Sequence, residues 1–190
     1  MKKFLIRTLF KKEFTLIHDY YQKKIENIKK ETELKLEELK KSCEIPKRIF
    51  YLFKNAEILG IEINKEGEEL FVFKEQTESS VYIKLCGESY KAINGMPMID
   101  TNIRKNPYPK PSELYINDIR MIHNEIGNGS IAMEYLIKTA KKMNVSHIRG
   151  WLSPEDMDHF DRLEHYYTKF GFKVVFNKER TSGNIELTLK

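Results

Sequence analysis

The chain has 190 residues, of which 41% are hydrophobic and 32% charged, and its formal net charge is +5. This composition is typical of a globular domain with one hydrophobic core. No run reaches the roughly 18 uncharged apolar residues that a membrane span needs, so we expect no membrane partner. The two cysteines, Cys43 and Cys86, are too few for a disulfide framework. We therefore expect free thiols and a cytoplasmic protein.

The positive charge is concentrated at the N-terminus. Residues 1–42 carry 12 Lys and Arg against 7 Asp and Glu, whereas the rest of the chain carries 21 of each. Such an excess attracts nucleic acid or an acidic partner when it is clustered. Here the two signs alternate along the segment, which is typical of a solvated helix face, and we do not expect a nucleic-acid partner.

Residues 10–42 contain neither Gly nor Pro and predict one or two amphipathic helices, as a hairpin or a short coiled coil. The lapse in the apolar pattern from Glu31 to Lys35 argues against a regular heptad seam. Pro46 should end the helical region. We divide the chain into a helical extension, 1–45, which is a candidate for homodimer formation, and a domain, 46–190. The apolar residues of the extension are three or four residues apart on either side of the lapse from Glu31 to Lys35. They are Phe14, Ile17, Tyr21, Ile25, Ile28, Leu36 and Leu39.

The next segments predict an antiparallel meander. The runs Ile58 to Ile63, Leu70 to Phe73 and Val81 to Leu85 are short and β-rich, with turn residues between them. Residues 94–112 contain Asn-Gly and four prolines and are predicted to form an exposed loop. Leu114 to Ile122 is predicted as a further strand.

The C-terminal part predicts alternating strands and helices. We expect a helix over 130–143, a strand over 147–152 and a second helix over 158–170. The runs 172–176 and 185–189 should pair as a hairpin.

Between the predicted strand and helix lies the sequence Asn124-Glu-Ile-Gly127-Asn-Gly129-Ser130. A helix N-terminus has unpaired N–H groups and a partial positive charge, and glycines let the backbone approach a ligand, which suits a pyrophosphate. A plain glycine turn that caps the helix is the alternative. A Rossmann site is a poor fit because a third glycine is missing and we expect no parallel βαβ unit, and a P-loop would require a lysine before Ser130.

A second segment, Tyr167-Thr-Lys-Phe-Gly171-Phe172, follows at the end of the second predicted helix. Together the two segments resemble the GNAT superfamily of N-acetyltransferases. Their strand–helix–strand–helix–strand context resembles it too, most closely over residues 113–176. The resemblance implies an α+β (α/β mixed) fold, with a central mixed, mostly antiparallel sheet flanked by helices. It also implies acetyl-CoA as co-substrate. Asn124 stands where the family has Arg or Gln, and Phe160 and Leu163 stand where it often has Asn and Ala.

The resemblance also implies roles for individual residues. Tyr167 corresponds to the general acid that protonates the CoA thiolate, with Tyr166 in reserve. A backbone N–H among Met121 to His123 would hold the thioester carbonyl. The residues implied in binding acetyl-CoA are Met121, Ile122, His123, Asn124, Ile126, Gly127, Asn128, Gly129, Ser130 and Tyr167.

The general base stays open between Glu113, Asp118, His123 and a water chain. Side chains alternate along a strand, so the odd separation of Glu113 and Asp118 predicts opposite faces. His123 has a suitable ordinary pKa. No metal site is expected, because helical His pairs need a separation of four, and His159 and His165 are six apart.

Three functions compete at this point. The first is acetyl transfer from acetyl-CoA to an amine, with polyamines, amino sugars, small amines and protein amines as open acceptors. The second is a non-catalytic CoA-binding or scaffold module whose N-terminal helices bind a partner. The third is a nucleic-acid-associated protein, whose affinity would depend strongly on salt.

Overall fold

The computed structural model of the chain describes residues 10–92, 95–105, 112–123 and 125–189. The chain divides into two compact units, and the boundary lies between Glu44 and Ile45. No helix within the described ranges combines the length and the apolar character needed to cross a membrane.

The first helix, α1, runs without interruption from Lys11 to Leu52. The prediction that Pro46 ends the helical region is therefore wrong. A proline inside a helix lacks an N–H donor and costs about 3 kcal/mol. Beyond Pro46, the side chains of Ile49 and Phe53 are buried in the core of the second unit, and this packing offsets the cost.

Eight strands among the described residues form one sheet in the order β1-β2-β3-β4-β5-β6-β8-β7. The predicted meander is confirmed, since neighbouring strands from β1 to β5 pair antiparallel. The strands are β1 (Ala56–Ile63), β2 (Glu69–Gln76), β3 (Ser80–Cys86), β4 (Met98–Arg104), β5 (Glu113–Arg120), β6 (His147–Leu152), β7 (Lys173–Phe176) and β8 (Gly183–Thr188).

Strand β4 corrects the prediction of a loop over 94–112. Ile99 and Thr101 alternate with polar residues and are fully buried, and the Thr101 hydroxyl donates to the Val81 carbonyl at 2.7 Å. The turn-forming residues that suggested a loop stand on both sides of this strand. Pro97 immediately precedes it, and Pro107, Pro109 and Pro111 lie outside the described residues.

The C-terminal half contains a parallel β5–α2–β6 unit, with α2 (Asn128–Lys142) as the crossover helix. The expectation that no such unit exists is wrong, because a strand–helix–strand sequence does not by itself reveal strand direction. A 3₁₀ segment, Pro154–His159, precedes α3 (Phe160–Lys169). The helix predicted over 158–170 therefore begins with two residues of 3₁₀ helix. Strand β8 lies between β6 and β7 and pairs with both antiparallel.

Helices of the second unit cover both faces of the sheet. The Phe53 ring at the end of α1 packs on Phe73 with ring centroids 5.1 Å apart. On the other face, Gly60 of β1 lies against Tyr135 of α2, whose hydroxyl donates to Glu62 at 2.8 Å. A Cβ at Gly60 would overlap that hydroxyl, so the absence of a side chain brings α2 close to the sheet.

Replacing Ile49 by Ala should lower the free energy of unfolding by about 2–5 kcal/mol, because a fully buried side chain would leave a cavity. Chemical denaturation followed by circular dichroism measures the change. The control is Tyr51→Ala, at a position 85% exposed in the same helical turn, which should change stability by less than about 0.5 kcal/mol. Equal effects of the two substitutions would contradict the packing of α1 described above.

Candidate functional site

The site begins where two parallel strands separate. Residues Glu113–Ile116 of β5 pair with His147–Gly150 of β6. Strand β5 then continues to Arg120 without further pairs to β6 in the described part of the chain. Backbone groups on that side of β5 are therefore available to a ligand rather than to a neighbouring strand.

A one-residue bulge lies where the pairing ends. On β4, Asp100 pairs with Asp118 and Thr101 with Ile116, which leaves Asn117 as the extra residue. Its side chain accepts from Asn102 at 3.1 Å and donates to Asp100 at 3.3 Å. A bulge bends a strand and increases its twist, so it directs the end of β5 away from β6.

The bulge also changes which faces the candidate bases occupy. Along β5, side chains alternate between the two faces of the sheet, and the bulge at Asn117 interrupts this alternation. The odd separation of Glu113 and Asp118 therefore no longer implies that they lie on opposite faces. Glu113 is buried, and its carboxylate accepts from Arg149 at 2.9 Å. Asp118 is exposed and lies 3.5 Å from Arg120.

The glycine turn caps α2. Gly127 occupies the N-cap position with φ 94° and ψ −9°, a left-handed conformation that favours glycine. A glycine cap supplies no side-chain acceptor for the first N–H groups of the helix. Those groups, on residues 128–130, can therefore bind an anion.

The turn between β1 and β2 holds the glycine turn in place. The Lys65 backbone N–H donates to the Ile126 carbonyl at 2.9 Å, and its side-chain ammonium donates to the Glu125 carbonyl at 3.0 Å. Asn64 organises the same β-turn by accepting from the N–H groups of Glu66 and Glu68, both at 3.0 Å. Two segments about sixty residues apart are thus fixed to each other.

Asn128 anchors the turn from inside. Its side chain is 1% exposed and donates to the Tyr90 hydroxyl at 2.9 Å, while Asn64 donates to its amide oxygen at 3.4 Å. The middle residue of Gly-Asn-Gly therefore has a structural side chain, and its contribution to ligand binding is limited to its backbone.

The glycine turn opens into a cavity of about 440 Å³, a volume typical of small-molecule sites. Three cations and two acids belong to its wall, and the Lys169 ammonium donates to the Ser130 hydroxyl at 3.2 Å. The lining residues are Lys65, Ile119, Met121, His123, Glu125, Gly127, Gly129, Ser130, Asp156, Arg162, Leu163, His165, Tyr166, Tyr167 and Lys169.

Two neighbouring tyrosines of α3 reach this cavity in different ways. The Tyr166 hydroxyl donates to the Gly129 carbonyl at 2.7 Å. The Tyr167 hydroxyl makes no hydrogen bond to any described residue, although its ring packs edge-on against Tyr166 and Phe172. Burial raises the pKa of Tyr167, and the charges of Asp156 and Asp118 raise it further. The phenol of Tyr167 is therefore protonated and free to donate.

The structure separates the predicted site residues into three groups. Those that line the cavity are Met121, His123, Gly127, Gly129, Ser130 and Tyr167. Those that do not line it are Glu113, Asp118, Ile122, Ile126 and Asn128. Asn124 lies outside the described residues.

Several lining residues were not predicted. Arg162 and Lys169 share the helix with Tyr167 and with Tyr166, which was predicted only as a reserve acid. The spacing of four and three residues from Arg162 through Tyr166 to Lys169 is a signal that places these three on one face. Lys65 comes from a distant turn, and no local pattern marks it. Phe160 packs against Phe176 with ring centroids 4.9 Å apart, whereas Leu163 lines the cavity.

Comparison with known proteins identifies the fold. No protein-family model matches the chain. The uncharacterized protein YocC of Bacillus subtilis (strain 168) is 31% identical over 137 residues, which span 71% of this chain and 78% of that protein. The crystal structure of the GNAT domain of S. lividans PAT is similar, with a TM-score of 0.50 at 9% identity, covering 68% of this chain and 96% of that domain. The predicted GNAT fold is confirmed.

Replacing Asn128 by Ala should lower the free energy of unfolding by about 1–3 kcal/mol, because it leaves buried polar groups of Tyr90 and Asn64 without a partner. Urea denaturation measures this change. Ser130→Ala removes a hydrogen bond at the solvent-exposed side of the same turn and should cost less than about 0.5 kcal/mol. If Asn128→Ala is no more destabilising than this control, the side chain is not an anchor.

Proposed function

This chain belongs to the family of the Bacillus subtilis protein YocC and has the GNAT fold, and we propose that it is an N-acetyltransferase that uses acetyl-CoA. One observation carries the proposal. The glycine-capped N-terminus of α2 opens into a cavity beside the separating strands β5 and β6, and the free hydroxyl of Tyr167 lines the same cavity.

The diphosphate of acetyl-CoA would bind at the start of α2. The N–H groups of residues 128–130 and the helix dipole favour a negative charge there. Lys65 and Lys169 add positive charge beside the turn. The wall also contains Ile119, Met121 and Leu163, whose apolar side chains suit the pantetheine arm.

The thioester would lie along the unpaired part of β5. Backbone N–H groups between the bulge and Met121 do not pair with β6 and can donate to the carbonyl oxygen, on which charge builds when an amine attacks. The C–N bond forms, the C–S bond breaks, and the sulfur departs as a thiolate.

Tyr167 would give its proton to this thiolate. An ordinary tyrosine has a pKa near 10 and a thiol near 8.5, so the transfer is uphill and depends on rapid release of the thiol. Burial raises the pKa of Tyr167 further, which keeps the phenol in its donating form. Water then restores the proton to the phenolate.

The attacking amine must lose a proton. Of the three candidate bases, His123 lines the cavity, whereas Glu113 is paired with Arg149 and Asp118 with Arg120. We propose that His123 or a water chain accepts this proton.

The free thiols of Cys43 and Cys86 suit a reducing compartment, and we place the reaction in the cytoplasm.

Replacing Gly127 by Val should abolish binding of acetyl-CoA, because valine is strained at φ 94° and the turn that presents the N–H groups would change shape. Isothermal titration calorimetry measures the affinity. Gly171→Val introduces a similar strain at φ 83°, outside the cavity, and should leave the affinity within about threefold if the protein remains folded. Unchanged binding by Gly127→Val would show that the diphosphate binds elsewhere.

Replacing Tyr167 by Phe should lower kcat by about 100-fold, the usual size of a general-acid contribution, while the affinity for acetyl-CoA stays the same. Thiol release in the presence of a panel of amines measures the rate and at the same time identifies the acceptor. Tyr166→Phe, which loses the bond to Gly129, should instead affect affinity more than kcat.

The pH dependence gives a second test of Tyr167. Because burial raises its pKa, wild-type turnover should show no loss from tyrosine ionisation up to about pH 10. A Tyr167→Phe variant with wild-type kcat throughout this range would exclude Tyr167 as the acid.

A further inference from the structure

An exposed apolar stripe runs along the first unit, from Phe10 through the part of α1 between Lys11 and Glu44. Its eight large members each expose between 46% and 62% of their surface. Helical stripes of this length are normally covered. We call this stripe the seam. Its positions are Phe10, Phe14, Ile17, Tyr21, Ile25, Ile28, Thr32, Leu36, Leu39 and Cys43.

The seam follows an 11-residue repeat rather than a heptad. The same spacing of four, three and four residues occurs from Phe10 to Tyr21, from Tyr21 to Thr32 and from Thr32 to Cys43. Thr32 occupies the seam position in the lapse between Glu31 and Lys35. A repeat of 11 residues in three turns corresponds to about 3.67 residues per turn, the period of a nearly straight, slightly right-handed coiled coil.

The width and charge of the seam indicate a helical partner. At about 3.67 residues per turn, the seam positions span about 65° of the helix circumference. The apolar face of a helix that packs on a protein core is wider, at about 100° or more. From Lys11 to Glu44 there are nine lysines and eight acidic residues. This near balance does not favour an anionic membrane or a nucleic acid, both of which select a basic surface.

We propose that the seam binds the seam of a second copy of this chain. An identical helix has the same repeat and therefore matches the seam along its whole length. The helix from Lys11 to Glu44 is about 50 Å long and about 10 Å wide. Two such faces cover about 1,000 Å², the lower limit for a specific interface.

The experiment compares two double variants of the full chain by analytical ultracentrifugation at tens of micromolar. Ile25→Glu with Leu36→Glu places two charges on the seam. Leu16→Glu with Leu34→Glu, at positions 68% and 56% exposed on the far side of the same helix, is the matched control. Both pairs introduce the same charge at exposed positions of the helix. The chain mass is 22.6 kDa, so a dimer is readily distinguished from a monomer.

Wild type and the control variant (Leu16→Glu with Leu34→Glu) should sediment as dimers. The seam variant (Ile25→Glu with Leu36→Glu) should sediment as a monomer. A monomeric wild type, with or without binding to anionic vesicles or to duplex DNA, would overturn the proposal. So would a seam variant that remains dimeric, because the dimer would then use another surface.

Discussion

Strands β5 and β6 pair over only four residues each, and the bulge at Asn117 lies where that pairing ends. The candidate site depends on this separation. If the two strands paired to their ends, the backbone of β5 beyond Ile116 would have its partners and the cavity would be filled by a neighbouring strand. Because they separate, the N-terminus of α2 and one face of α3 meet in the space between them, and an elongated anionic ligand can contact both.

Hydrogen bonds to the glycine turn keep this opening in one shape. Asn128 bonds to Tyr90 and Asn64, and Lys65 bonds to the carbonyls that precede Gly127. Glycine turns are flexible in isolation, and the loss of backbone entropy on binding would weaken an anion site made from one alone. Here the ordering is supplied during folding by the β1–β2 turn and by Tyr90, which are distant in sequence from the glycine turn. The two cavity tyrosines differ, since the Tyr166 hydroxyl donates to the Gly129 carbonyl and the Tyr167 hydroxyl makes no hydrogen bond to any described residue.

Much of this arrangement is visible in the sequence because its signals are local. Gly127, Gly129 and Tyr167 stand at strand–helix and helix–strand junctions, and periodicity identifies both helices around them. The remainder depends on distant contacts. Nothing near Lys65 or Tyr90 indicates that either one contacts the glycine turn, and the bulge at Asn117 exists only relative to β4. The predictions that Pro46 ends the helix and that 94–112 is a loop are wrong for a related reason, since buried neighbours outweigh a local helix breaker and local turn residues.

We propose that acetyl-CoA binds at the start of α2 and along the unpaired end of β5. Hydrogen–deuterium exchange with and without acetyl-CoA measures this binding at individual peptides, since the amides concerned would become donors to the ligand. We expect slower exchange in peptides that cover residues 117–121 and 126–131, with little change in β1 to β3. Protection confined to other segments, or none at saturating acetyl-CoA, would exclude this binding site.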